Sequence, residues 1–136
     1  MRLAAPVLLV TGVVMAAAVG LRTVPVLTEH FRVLAFHAGR PLGGAPGGTV
    51  IEQLADEAVA MLDAAGEARV HVYGLSFGGM VAQEIAARHP DRLMTLALGA
   101  TSAGGDLRVP ADDATQAFIR RRAGMPAEEG LWASVP

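Results

Sequence analysis

The sequence has no cysteine and no lysine, and its aromatic residues are one tryptophan, one tyrosine and four phenylalanines. The absence of cysteine excludes disulfide bonds and thiolate metal sites. The absence of lysine excludes every mechanism that needs a lysine side chain, and all eleven basic residues are arginines. The net charge is −2 and neither sign of charge forms a long run, so the sequence does not predict a nucleic-acid-binding surface.

Hydrophobic residues make up 52% of the 136 positions, which is enough for the core of one domain. An almost uninterrupted apolar run follows Arg2 and extends to Leu21. Such a run is typical of a signal peptide or a membrane helix, but here Pro6 and two glycines interrupt it. We favour a buried parallel strand over residues 7–10, which is equally apolar, in a cytoplasmic protein. An export or membrane signal at residues 1–21 is the alternative.

Short apolar runs alternate with segments of helical spacing along most of the chain. The predicted strands are residues 7–10, 31–36, 70–73 and 93–98. The predicted helices are residues 24–30, 51–65, 77–88 and about 110–123, and the second of these starts with the capping-box pattern Thr49-x-x-Glu52. Residues 11–20 are predicted as a loop or loose helix, and the glycine-rich residues 38–48 as a loop. This alternation predicts an α/β fold, with about four parallel strands and helices on both faces.

The third predicted strand leads directly into Gly74-Leu75-Ser76-Phe77-Gly78-Gly79. This is the G-x-S-x-G pattern of a nucleophile elbow, in which a strand, a sharp turn and a helix follow one another. Ser76 would lie at the tip of the turn, where Gly74 and Gly78 avoid collisions and Gly79 allows close packing of the helix. The Phe77 backbone N–H would then point at the oxygen of a bound carbonyl group.

Three glycine-bearing turns have some features of nucleotide-binding motifs. Residues 43–49 have phosphate-loop spacing, but Thr49 stands where that motif needs lysine. Residues 10–12 look like the opening of a short-chain dehydrogenase, whose later glycines and active-site lysine are missing. Residues 74–79 carry Ser76 at the middle glycine of a dinucleotide motif, and no carboxylate ends the next strand. We therefore predict no nucleotide cofactor.

One known protein family matches several segments of the chain. The specific match is the elbow and the helix after it, continuing through Arg88-His89-Pro90-Asp91-Arg92-Leu93. Residues 7–12, 31–36 and 49–56 match the same family more weakly. On these segments the chain resembles the α/β-hydrolase family, particularly its small esterase, enol-lactonase and cofactor-free haloperoxidase-like members, over about residues 6 to 105. The resemblance implies that Ser76 is the nucleophile and that the backbone N–H groups of Phe77 and Val13 form the oxyanion hole. It also implies a small-molecule acyl substrate and neither cofactor nor metal.

The sequence departs from the family at two places beside this expected site. Thr11 stands where the family usually has histidine, and His37 stands where it usually has aspartate. The triad order is serine, acid, histidine, but none of the four histidines lies where the family would place the last of these. The histidines are His30, His37, His71 and His89. Asp106 is a weak candidate for the acid, while Asp112 and Asp113 are expected to be ordinary polar residues of a lid segment.

We therefore predict a partial α/β-hydrolase core at residues 1–105, followed at 106–136 by the start of a lid or a poorly ordered tail. The predicted function is that of a serine hydrolase acting on an ester, lactone or related acyl substrate, in an incomplete copy without the triad histidine. The alternative is a non-catalytic remnant that binds a partner chain or a small apolar ligand. Open sheet edges predict self-association.

Overall fold

A computed structural model of the protein describes residues 4–39, 48–104, 107 and 109–123. The elements, in chain order, are β1 (Pro6–Gly12), α1 (Val13–Thr28), β2 (Arg32–Ala38), α2 (Val50–Ala64), β3 (Val70–Leu75), α3 (Phe77–Arg88), a 3₁₀ turn (Pro90–Arg92), β4 (Leu93–Gly99) and α4 (Asp113–Ala123). The contacts divide the chain after Gly104 into two compact units, and every element except α4 lies in the first.

The four strands form one parallel sheet in the order β2-β1-β3-β4. The sequence prediction of a four-stranded parallel sheet is confirmed. β1 is central, and its residues 7–11 are all buried although their side chains alternate between the two faces. Both faces of β1 are therefore covered, which explains why its sequence is continuously apolar instead of alternating.

The main core lies on the face of the sheet to which Leu8 and Val10 point. There α2 and α3 pack against the strands and against each other. Their fully buried core residues are Leu54, Ala55, Ala58, Leu62, Val81, Ala82 and Ile85. Val7 and Leu9 point to the opposite face, and α1 contacts β1 and β2. The helices thus cover both faces, as an α/β fold requires.

The first helix is longer than the sequence pattern indicates. The predicted loop at residues 11–20 and the predicted short helix at 24–30 are replaced by the single helix α1. The stretch contains good helix formers, among them Met15 and three alanines, and the tertiary contacts with the sheet stabilise the helix further. Pro25 falls in the last turn of α1, so the hydrogen bond that it cannot make is lost near the end of the helix. Within the described part of the chain, no helix is long and apolar enough to cross a membrane.

Two predicted helices agree closely with the structure. α2 has Thr49 as its N-cap and a complete capping box, since Thr49 Oγ1 accepts from the Glu52 N–H and the Glu52 carboxylate accepts from the Thr49 N–H. α3 spans the predicted residues. β2 extends two residues beyond the predicted end of the strand and so includes His37 and Ala38, the second of which the sequence pattern places in the following loop.

β4 forms one outer edge of the sheet and is poorly covered. Met94, Leu96 and Leu98 are 41%, 38% and 43% exposed. The strand contains no charged residue and no proline, the two features that usually protect an edge strand from pairing with another chain. The exposed edge that the sequence predicts is therefore present on the β4 side of the sheet.

Arginine side chains bind the strand starts together at the opposite end of the sheet from Ser76. Arg92 donates to the backbone carbonyls of Glu67 and Ala68, both at 2.8 Å, and pairs with Asp63 at 2.8 Å. Arg32 forms an ion pair with Glu67, whose side chain is nearly buried. These contacts fix the strand starts and leave the carboxyl ends of the strands for chemistry.

Candidate active site

Ser76 lies in the turn between β3 and α3 and has an unusual backbone conformation. Its φ is 56° and its ψ is −123°, in a region that residues with a β-carbon rarely adopt. Three hydrogen bonds hold this conformation: the Ser76 N–H donates to Gly99 O at 3.0 Å, while the Gly79 N–H and the Thr101 hydroxyl donate to Ser76 O at 2.9 and 2.8 Å. The side chain is exposed, so the strain presents the hydroxyl at the carboxyl edge of the sheet.

The three glycines around Ser76 each lie where a side chain would collide with a neighbour. A β-carbon added at Gly78 would be 2.2 Å from Val10 O, and one added at Gly74 would be 2.5 Å from the β-carbon of Ala82. A β-carbon at Gly79 would be 2.5 Å from that of Thr101. The glycine pattern therefore allows the start of α3 to lie directly against the backbone of β1 and the segment after β4.

Two helices begin next to Ser76. Phe77 is the first residue of α3, and Val13 is the first residue of α1, directly after Gly12 at the end of β1. Gly12 lies against Phe77, since a β-carbon on Gly12 would be 3.4 Å from that of Phe77. The cap residues of both helices make no side-chain hydrogen bond to the first turn. The backbone N–H groups at both helix starts are therefore suited to binding an anionic oxygen.

All four histidines of the sequence are among the described residues, and none is hydrogen-bonded to Ser76. His71 pairs through Nδ1 with Thr95 Oγ1 at 2.8 Å, and His89 Nε2 lies 3.3 Å from Asp56 Oδ1. His30 is exposed in the turn after α1. His37 Nδ1 lies 3.1 Å from the hydroxyl of Thr11 in the neighbouring strand. The structure thus joins the two positions at which the sequence departs from the family pattern.

Asp106, the acid candidate of the sequence analysis, lies outside the described residues. Asp112 precedes α4 and accepts a hydrogen bond from the Thr115 N–H at 2.7 Å. This bond, together with that of the Thr115 hydroxyl, lowers the pKa of Asp112 below its ordinary value. No group of three histidine or carboxylate side chains that could hold a metal ion occurs in the part of the chain that the structure describes.

The sequence analysis did not identify two residues that stabilise the turn. Thr101 donates to Ser76 O, and Gln83 on α3 donates from Nε2 to Gly79 O at 3.1 Å and to Ser102 O at 3.0 Å. Both connect α3 to the segment after β4. The carboxyl ends of parallel strands meet at one edge of the sheet. The position of Thr101 directly after β4 was therefore the sequence signal that it could lie close to Ser76.

Comparisons with known proteins identify a matching family and related sequences. A family model described as the alpha/beta hydrolase fold matches residues 5–133. A protein of Stutzerimonas stutzeri assigned as the carbamate hydrolase RutD is 36% identical over 84 residues, which are 60% of this chain and 32% of that protein. The chain thus spans about a third of the length of this curated relative.

Two solved structures extend the similarity over most of the chain. A hydrolase from Pseudomonas aeruginosa PA01 is 32% identical, with a TM-score of 0.61, and covers 88% of this chain and 43% of its own. The enol-lactonase from Burkholderia xenovorans LB400 is 29% identical, with a TM-score of 0.63, and covers 97% of this chain and 50% of its own.

Proposed function

The chain belongs to the α/β-hydrolase family, and on this premise we propose that it acts as a serine hydrolase on an ester, a lactone or a related acyl substrate through Ser76. The observation that carries the proposal is the strained backbone of Ser76, with φ 56°, at the tip of the turn between β3 and α3. Such strain at an exposed serine is expected where the hydroxyl must be presented to a substrate. The names of the relatives, carbamate hydrolase and enol-lactonase, fit attack on a carbonyl carbon.

The proposed reaction has two steps. Ser76 Oγ bonds to the carbonyl carbon as its proton passes to a base, and the alcohol leaves with a proton to give an acyl-enzyme. Water then adds to the acyl carbon, releasing the acid and restoring the Ser76 hydroxyl. In both steps negative charge develops on the carbonyl oxygen, where the N–H groups of Phe77 and Val13 would stabilise it.

The base is the part of the machinery that the described residues do not supply. No histidine of the sequence is hydrogen-bonded to Ser76, and none follows His89. We therefore propose that these residues form an incomplete copy of the catalytic apparatus. Without a base the Ser76 hydroxyl is a weak nucleophile, and only the residual catalysis from the oxyanion hole is expected.

A fluorophosphonate probe tests the proposal. We expect slow covalent labelling of the folded chain at Ser76, loss of labelling in Ser76→Ala, and faster labelling when imidazole is added as an external base. Ser102→Ala is the matched control, because Ser102 lies at the same edge of the sheet and contributes its backbone carbonyl to Gln83. Absence of labelling in a folded sample, with and without imidazole, would contradict the proposal.

A second candidate function is binding without catalysis, of a partner chain or a small apolar ligand. The uncharged, half-exposed edge strand β4 favours it. This function predicts an unreactive Ser76 together with saturable binding that a charged substitution in β4 weakens.

A further inference from the structure

Thr11 and His37 form a polar pair at the carboxyl ends of the two strands nearest α1. They are direct register partners in β1 and β2, and Thr11 Oγ1 lies 3.1 Å from His37 Nδ1. Thr11 is 1% exposed, whereas His37 is exposed. A buried hydroxyl needs a hydrogen-bond partner, and His37 is the side chain that meets this need among the described residues.

The backbone of Thr11 contacts the turn that contains Ser76. The Thr11 nitrogen lies 2.7 Å from where a β-carbon of Gly78 would be, so the end of β1 and the first turn of α3 touch without an intervening side chain. One residue further, Gly12 lies against Phe77. A displacement of Thr11 is therefore passed to both helix starts, because close-packed backbone leaves no soft side chain to absorb it.

We propose that Thr11 and His37 are a positioning pair for the two N–H groups of Val13 and Phe77. The hydrogen bond fixes the end of β1 against β2 and so sets the distance between the starts of α1 and α3. The catalytic consequence rests on the proposed function, whereas the structural consequence does not. Neither residue touches the reacting atoms in this assignment.

The chain contains its own control for this pair. His71 Nδ1 and Thr95 Oγ1 form the same kind of hydrogen bond, at 2.8 Å, between β3 and β4. His71 and Thr95 are register partners near the starts of their strands, away from the carboxyl edge. The substitutions Thr11→Val and Thr95→Val therefore each remove a threonine hydroxyl from a Thr–His pair between neighbouring strands, the first pair at the carboxyl edge and with a buried threonine, the second near the strand starts and with an exposed one.

The first measurement is the rate of fluorophosphonate labelling of Ser76 in the full chain. Thr11→Val keeps the shape of a buried side chain and leaves the exposed His37 free to bond to water, so the fold and the thermal midpoint should change little. We expect labelling about tenfold slower, less than the roughly hundredfold that a 1 Å misplacement of a reacting group can cost. Thr11→Ser should restore the rate, and Thr95→Val should not alter it.

The second measurement does not depend on reactivity. In amide NMR spectra, Thr11→Val should shift the Phe77 resonance, which is distant in sequence, while Thr11→Ser and Thr95→Val should leave it in place. Equal labelling rates of wild type and a folded Thr11→Val variant would overturn the catalytic consequence. An unlabelled wild type would count against the proposed function alone, and an unmoved Phe77 amide in folded Thr11→Val would overturn the positioning itself.

Discussion

At the turn around Ser76, the absence of a side chain at the glycines is as important as the side chains that are present. Gly78 is buried in the first turn of α3, and the space for its β-carbon is already filled by the Val10 carbonyl and the Thr11 nitrogen. In an ordinary helix position, alanine would be favoured over glycine by about 1 kcal/mol. Here the backbone of β1 must move before alanine fits.

Gly78→Ala is therefore expected to lower the free energy of unfolding by about 3 kcal/mol, because overpacking against backbone outweighs the gain in helix propensity. Gly66→Ala is the matched control. Gly66 has a φ of 72° with no atom near its missing β-carbon, so this substitution should cost only the conformational term of about 1 kcal/mol. Urea unfolding of both variants measures the difference, and equal losses would contradict the clash.

The residues of the site differ in how far they could be predicted. The strained turn at Ser76 needs glycine on either side, at Gly74 and Gly78. Because this requirement is local, the spacing of the three residues in the sequence indicates the turn directly. The Thr101 and His37 contacts are tertiary: they depend on strand order and register, which no local pattern encodes. That β2 continues through His37 follows from the pairing of His37 with Thr11.

At the scale of secondary-structure elements, the helices with local end signals were predictable. α2 begins at its Thr49 capping box and is followed by Gly66 in a left-handed conformation, and α3 ends just before His89-Pro90. α1 has no capping side chain and carries Pro25 inside it. Its length depends on packing against the sheet, which sequence periodicity alone does not measure.

The start of α4 is expected to respond to pH through Asp112. Hydrogen bonds from Thr115, followed by one from the Ala114 N–H, lower the pKa of Asp112 because they favour its ionised form. A group with a lowered pKa stabilises the folded helix at pH values above its unfolded pKa, and the contribution is lost as the pH falls through the folded value. The Asp112 carboxyl carbon should therefore titrate with a pKa below that of an ordinary aspartate, and the Thr115 amide should shift in parallel in NMR spectra.

Asp112→Asn is the control for this prediction, because asparagine keeps an oxygen acceptor at the N-cap and cannot ionise. Its Thr115 amide should not move over the same pH range. A carboxyl carbon of Asp112 that titrates at or above the pKa of an aspartate in an unfolded peptide would show that the hydrogen bond from Thr115 does not form in solution.

For the whole molecule, the sheet order leaves an uncharged edge strand in contact with solvent. We expect the purified chain to self-associate through β4 in a concentration-dependent manner, as unprotected edge strands do. Leu96→Lys should reduce this association, since lysine on an edge strand opposes pairing with a second chain. Sedimentation velocity over a range of protein concentrations measures the effect.

Val109→Lys distinguishes pairing at the strand edge from nonspecific hydrophobic association. Val109 is 88% exposed and lies outside the sheet, whereas Leu96 is only 38% exposed and lies in the middle of β4. The substitution at Val109 should leave the association unchanged. Equal reductions by the two lysines would show that exposed apolar area, and not the strand edge, drives association.

Ser76 is also hydrogen-bonded to the end of the same edge strand and to the segment after it. Its N–H donates to the last residue of β4, and its carbonyl accepts from Thr101 just beyond it. A chain that pairs with β4 would be expected to restrict the motion of Gly99 and Thr101 and, through these two hydrogen bonds, the motion of Ser76. We therefore expect pairing at this edge of the sheet and the position of the Ser76 hydroxyl to be thermodynamically linked, so that a change in one alters the other.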